Sequence, residues 1–162
     1  MTQYYGKYRG MVINNVDPNR MGRLQISCPH VLGVNVLSWA MPCVPFAGIL
    51  EGFYMLPTIG SNIWVEFEQG DPDRPIWAGG FWGRAQIPPS AVLPTTRCIK
   101  TLTTELTLDD ALGFTLQLLP PAVPAPCTIR MNATGVEISI GTATIKLDPV
   151  KVSVNNGALE IM

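Results

Sequence analysis

The feature that most constrains this chain is a run of short alternating segments near its C-terminus. Val136-Glu137-Ile138-Ser139-Ile140 alternates apolar with polar residues, and Ala143-Thr144-Ile145-Lys146-Leu147 does the same. So do Val150-Lys151-Val152-Ser153-Val154 and Ala158-Leu159-Glu160-Ile161-Met162. The segments start at 136, 143, 150 and 158, and Gly141-Thr142, Asp148-Pro149 and Asn155-Asn156-Gly157 supply the turns between them. A period of two is the mark of a half-buried strand. Each strand then puts Val136, Ile138, Ile140, Ile145, Leu147, Val150, Val152 and Val154 on one face. Apolar surface of this kind gains roughly 25 cal/mol per Å2 when it leaves water. The chain has no helix pattern to cover it, and its C-terminal part has no further run long enough to build the second layer of a sandwich. Other copies of the same chain are the economical cover: three meanders around a threefold axis would also hide their edges. The alternative is a small monomeric sandwich whose tail packs on the N-terminal part. A module from Ile99 onward, without a disulfide framework, is marginal as a monomer.

Upstream, Glu105-Leu106-Thr107-Leu108-Asp109 and Gly113-Phe114-Thr115-Leu116-Gln117-Leu118 carry a looser version of the pattern, which Leu119-Pro120-Pro121-Ala122-Val123-Pro124-Ala125-Pro126 interrupts. A Pro/Ala stretch at residues 85–98 reads as a stiff connector. The expected organisation is a domain at 1–84, the connector, and a stalk at 99–162. All four Trp and all four Tyr lie in the first domain.

That first domain reads as β throughout. Residues 8–16 and 23–28 form two strands around the turn-rich Asp17-Pro18-Asn19-Arg20-Met21-Gly22. Residues 38–44 are extended, residues 62–68 alternate cleanly, and residues 76–83 return as a last strand. About five strands in some eighty residues, without a helix of ordinary length, predict a small closed barrel.

Composition narrows the function classes. The net charge is −1, and the six basic residues before residue 85 are matched by six acids. A polyanion finds little attraction here. Trp64, Trp77 and Trp82 could stack nucleobases, but the basic groove that accompanies stacking is missing, so barrel core and subunit contact are the expected roles. Glu66 and Glu68 could be a carboxylate pair for glycoside hydrolysis, and are expected instead to be solvated or ion-paired. Gly70-Asp71-Pro72-Asp73-Arg74-Pro75 is read as a turn in which Asp71 caps backbone amides rather than as a calcium loop. Cys28, Cys43, Cys98 and Cys127 lack metal-ligand spacing, His30 is the sole histidine, and buried free thiols are expected. No catalytic residue, cofactor or metal site is predicted. The first residues have no basic n-region or apolar h-region, so synthesis in the cytoplasm without a signal peptide is expected.

Tyr4 to Val12, followed by Asp17 to Ile26, resembles the start of the OB domain of phage baseplate assembly protein V and of VgrG-like spikes. The run Ile59-Gly60-Ser61-Asn62-Ile63-Trp64-Val65-Glu66-Phe67-Glu68-Gln69-Gly70-Asp71-Pro72-Asp73-Arg74-Pro75-Ile76-Trp77 carries the likeness further. Within it Gly60, Trp64, Phe67, Gly70, Asp71, Pro72, Pro75 and Trp77 form the family motif. The tail, with Thr134-Gly135-Val136 and Asn155-Asn156-Gly157, resembles the triple-stranded β-helix of the same spikes.

The resemblance implies an all-β protein: an N-terminal five-stranded OB-fold barrel, then a β-strand stalk forming an intertwined trimeric β-helix or prism. It implies a homotrimer that sits on a baseplate hub protein by its OB end and pierces a target envelope when a sheath contracts. It also implies a PAAR-type tip protein docked on Leu159, Ile161 and Met162. The connector is too short to hold a lysozyme domain, and paired histidines for a tip iron site are missing. An OB-type nucleic-acid-binding module and a small envelope-degrading enzyme are the competing readings.

Overall fold

The computed structural model describes residues 2–91 and 93–161. It divides into two compact units, residues 1–86 and 87–162.

The first unit is a closed five-stranded barrel. Its strands are β1 (Tyr8–Asn14), β2 (Leu24–Ser27), β3 (Leu37–Pro42), β6 (Asn62–Phe67) and β7 (Pro75–Gly80), in the order β1-β2-β3-β7-β6. All neighbours are antiparallel except β3 and β7, whose parallel pairing of Met41 with Ile76 and Pro42 with Trp77 completes the closure. Closure leaves no edge on which another strand could template. Alternation along each strand fills the interior. Val12, Leu24, Ile26, Ile63 and Val65 are fully buried, with Ala40, Phe67 and Trp77 beside them. A one-turn helix α1 (Pro29–Leu32) links β2 to β3, and Val31 and Leu32 pack against the core. A two-residue hairpin, β4 (Ala47–Gly48) with β5 (Glu51–Gly52), interrupts the path from β3 to β6.

The second unit is one antiparallel meander of eight strands in which every strand pairs with its sequence neighbour. The strands are β8 (Thr96–Lys100), β9 (Thr104–Asp109), β10 (Gly113–Leu118), β11 (Cys127–Asn132), β12 (Gly135–Ile140), β13 (Ala143–Leu147), β14 (Val152–Val154) and β15 (Leu159–Ile161). Two differ from the sequence reading. Strand β8 begins inside the stretch expected to be a connector, and β11 follows the Pro-rich interruption directly. Val150, expected in a strand, lies in the turn between β13 and β14. There its N–H donates to Asp148 Oδ1 at 2.9 Å, and Lys151 N–H does the same at 3.0 Å. Asp148 is the organiser of that turn, and those two amides hold its carboxyl below the usual carboxylate range.

Gly135 shows how tightly the meander is folded. Its φ of 136° is one that side-chain-bearing residues rarely adopt, and a Cβ there would overlap the carbonyl oxygen of Leu147 on the neighbouring strand.

Candidate functional site

Register decides what the meander presents. Following cross-strand partners outward from Ile138 gives Ile129, Leu116, Leu106 and Ile99 in one direction. In the other direction it gives Ile145, Val154 and Leu159. The row is apolar across all eight strands. The row beside it runs Arg97, Leu108, Phe114, Met131, Val136, Leu147, Val152 and Ile161, apolar at every position but the first. A third, shorter row joins Leu118, Cys127, Ile140 and Ala143. Seven of the predicted stalk-core residues share this face: Val136, Ile138, Ile140, Ile145, Leu147, Val152 and Val154.

Nothing among the described residues of this unit covers the face. Ile138, Ile140, Ile145, Leu147, Leu159 and Ile161 are between 42% and 60% exposed. Isolated exposed aliphatics are ordinary, but a continuous apolar patch across a whole sheet marks an interaction surface. Leu159 and Ile161, expected at a docking tip, belong by register to the same two rows as the stalk core. Met162 lies outside the described residues.

The opposite face is polar and largely self-satisfied. One of its rows reads Arg130, Glu137, Lys146, Ser153 and Glu160, alternating in charge around a buried serine. Such cross-strand pairs of opposite charge stabilise a sheet modestly. Lys151 Nζ donates to Glu160 Oε1 at 2.5 Å, and that bond raises the lysine's pKa. Lys100 Nζ donates to Glu105 Oε2 at 2.5 Å and holds the nearly buried Glu105 carboxyl below its ordinary value. The two faces therefore have opposite needs: one can meet water and the other cannot.

The barrel motif residues serve mainly to build the fold. Phe67, Gly70, Pro75 and Trp77 are buried, and the Trp77 Nε1–H donates to the Gly22 carbonyl at 3.2 Å. Gly70 (φ 79°) lets the N-terminal segment lie against it, with Tyr4 N–H donating to its carbonyl at 2.9 Å. Asp71 Oδ1 accepts from the Asp73 amide at 3.0 Å, and Pro72 completes that turn. The Gly60 N–H donates to Val12 O at 2.8 Å, tying its turn to β1. Trp64 points away from the core and meets Phe81 in a tilted contact, 4.6 Å between ring centroids and 40° between planes. The Arg9 guanidinium stands over both rings, 5.5 Å from Trp64 and 4.8 Å from Phe81.

The geometry decides three of the alternatives raised by the sequence. Trp77 is inside the barrel, Trp64 is outside under Arg9, and Trp82 is two-thirds exposed, so the three indoles do not make one stacking platform. Glu66 on β6 pairs with Lys7, whereas Glu68 lies past the strand end, 4.0 Å from Arg74, so the two acids do not share a strand face. Of the four thiols, all free, only Cys28 is buried, and burial pushes its pKa up. Cys43 is exposed, and Cys98 and Cys127 are half-buried.

Asp17 organises the β1–β2 loop and escaped the sequence reading. Its carboxylate accepts from the amides of Asn19, Met21 and Arg23 and from the Arg23 guanidinium, at 2.7–3.2 Å. The Arg23 bond, followed by those amides, holds the carboxyl far below the usual range. The signal was available, because Asp-Pro-Asn followed by Gly-Arg is a turn with a cation at its exit.

Both units of the chain match known families. Residues 8–82 match the family described as the type VI secretion system/phage-baseplate injector OB domain. Residues 96–160 match the phage baseplate V C-terminal trimerisation domain. The chain belongs to the phage baseplate V family of injector spike proteins. The trimerisation match runs from the start of β8 into β15, so the uncovered face belongs to a unit whose family assembles by threes. The actin cross-linking toxin VgrG1 of Vibrio cholerae serotype O1 is similar too, 37% identical over 67 residues. That stretch is 41% of this chain but 6% of the toxin, so the chain spans only a small part of the relative it resembles. The role common to baseplate V proteins is structural and spike-like, within phage tails or secretion machinery. Among the described residues, no helix is long and apolar enough to cross a membrane, and no three metal-ligating side chains cluster.

Proposed function

We propose that three copies of this chain assemble into the central spike of a contractile injection machine, with the apolar rows of their C-terminal sheets facing one another about a threefold axis. The observation that carries the reading is the apolar face, one row of it unbroken from β8 to β15 and a second from β9 to β15, uncovered within its own unit. Consecutive pairing within each chain favours the prism over the intertwined β-helix. Each chain supplies one complete sheet, and the polar face, with its alternating Arg130–Glu137–Lys146 row, is turned to solvent.

Such an assembly suits mechanical work. Bending it loads the strand ladders of three chains together, and no pocket or moving loop is needed. Strand length falls from six residues in β9–β12 to three in β14 and β15, so the sheet narrows toward its C-terminal edge. A narrowing end fits an envelope-piercing role on sheath contraction and a small tip protein of the PAAR type over Leu159 and Ile161. The OB end then meets the baseplate hub, and the chain is built into the particle.

The test is location and dependence. Antibody against the barrel should decorate the baseplate end of purified tail or injection particles, and particles lacking the chain should fail to deliver cargo. Labelling spread along the sheath, or undiminished delivery without the chain, would refute the assignment.

A further inference from the structure

Between the turn that enters β6 and the chain that leaves β7 lies a cleft of about 590 Å3, the size usual for a small-molecule site. All its lining residues belong to the first unit. Both walls are fixed by the barrel. The entering turn is tied to β1 from two sides, by Gly60 N–H donating to Val12 O at 2.8 Å and Val12 N–H donating to Ser61 O at 3.0 Å. On the leaving side, Phe81 N–H donates to Asn62 O at 3.3 Å, and the Phe81 ring lies against Trp64 and Arg9. A site built on such supports loses little freedom when it is filled. No charged residue lines the cleft. Thr58 and Ser61 supply hydroxyls, 3.1 Å apart. Asn62 and Gln86 supply two side-chain amides that orient each other. Gln86 Oε1 accepts from Asn62 Nδ2 at 3.0 Å and from the Gly83 amide at 2.6 Å. That leaves Asn62 Oδ1 as an acceptor and Gln86 Nε2 as a donor. Beside them Trp82 is two-thirds exposed and has no aromatic neighbour among the described residues.

We propose that this cleft binds a neutral saccharide, with the Trp82 indole stacked on the apolar face of a pyranose ring and the Asn62–Gln86 amide pair bonded to its hydroxyls. A sugar ring has a C–H face and an edge of hydroxyls that each donate and accept. The lining offers the complement of both: an exposed aromatic surface, and amides and hydroxyls that together accept and donate. Other ligand classes fit less well. A phosphate or nucleotide needs cations, and none lines the cleft. A wholly apolar ligand would shut the two amides away from water without partners. The site stands apart from the trimeric reading, because one barrel supplies all of it. A free sugar and a glycan chain share this chemistry and differ only in length.

The test is saturation-transfer NMR on the full chain at millimolar sugar. The probes are glucose, galactose and N-acetylglucosamine, with linear tetramers of glucose and of N-acetylglucosamine. At least one probe should give saturable transfer. Trp82→Ala should weaken that binding about tenfold, in line with the loss of an aromatic stacking platform, and Trp82→Phe should restore most of it. The exposed position of Trp82 leaves the barrel's melting temperature unchanged in both variants. Gln86→Leu, which keeps the size and removes the amide, should weaken binding severalfold. A tetramer that binds more tightly than its monomer identifies a glycan chain as the ligand, and equal affinities identify a free sugar. Absence of transfer from every probe would overturn the proposal. So would transfer undiminished by Trp82→Ala, or displacement of the bound sugar by inorganic phosphate.

Discussion

Ile138 sits at the centre of the apolar face, opposite Ile129 on one side and Ile145 on the other. Replacing it with alanine separates the contribution of the sheet from that of the assembly. Within one chain Ile138 is 42% exposed, so about two-fifths of its hydrophobic value is unrealised until another copy covers it. Full burial of such a side chain contributes about 1.5–3 kcal/mol, which leaves roughly 1 kcal/mol per chain for the interface. Three symmetric copies give roughly 3 kcal/mol, or about two decades in the trimer dissociation constant. A cavity left between the chains would add to this. Sedimentation equilibrium in guanidinium concentrations that just begin to dissociate the wild type would measure it. Lys146→Ala, on the polar face of the next strand, is the control, and an exposed charge there is expected to change association by less than about 1 kcal/mol. If Ile138→Ala left association unchanged while Lys146→Ala weakened it, the faces would be assigned the wrong way round.

Gly135→Ala should cost the stalk about 2–4 kcal/mol, since it combines an unfavourable φ with overlap on the Leu147 carbonyl. Gly141→Ala, whose Cβ would meet only Ala125 at 3.5 Å, should cost clearly less in the same guanidinium melts, and equal costs would refute the packing argument. Asp17→Asn should lower the barrel's melting temperature by several degrees. Because the folded carboxyl titrates below its unfolded value near 3.8, its contribution is present above about pH 4 and drains as pH falls further. The gap between wild type and variant should therefore narrow in acid, and a gap that widened would contradict the assigned hydrogen bonds. Arg9→Ala should cost the barrel about 1 kcal/mol in thermal melts through loss of its stacking over Trp64 and Phe81, and no change would show that contact to be incidental.

The barrel was legible because its strands alternate and its turns carry their own chemistry. Asn62-Ile63-Trp64-Val65-Glu66-Phe67 places every second residue inside, and the structure buries Ile63, Val65 and Phe67. Which indole goes inside was not legible from Trp64 and Trp77 alone. That depends on register, and a bulge where β6 meets β7 shifts the pairing between Ile63 and Val65. In the stalk, β12 and β13 announced themselves by strict alternation. Strand β11 carries the same signal in Cys127-Thr128-Ile129-Arg130-Met131, but the Pro-rich run before it suggested an interruption. Strand β8 was harder, because Cys98 and Ile99 are adjacent apolar residues on opposite faces and the segment follows a proline stretch. Val150 keeps the parity of its neighbours but falls to the Asp148 turn, whose side-chain hydrogen bonds outcompete the ladder. The β4–β5 hairpin left no trace in the pattern, since its tip is apolar where turn residues are expected.

The account stands on the apolar rows of the C-terminal sheet being met by sister copies. Native mass spectrometry of the full chain at micromolar concentration tests this most directly. It should give three times the 17.6 kDa protomer mass. A protomer mass, from protein whose C-terminal amides are nevertheless protected from hydrogen exchange, would contradict it.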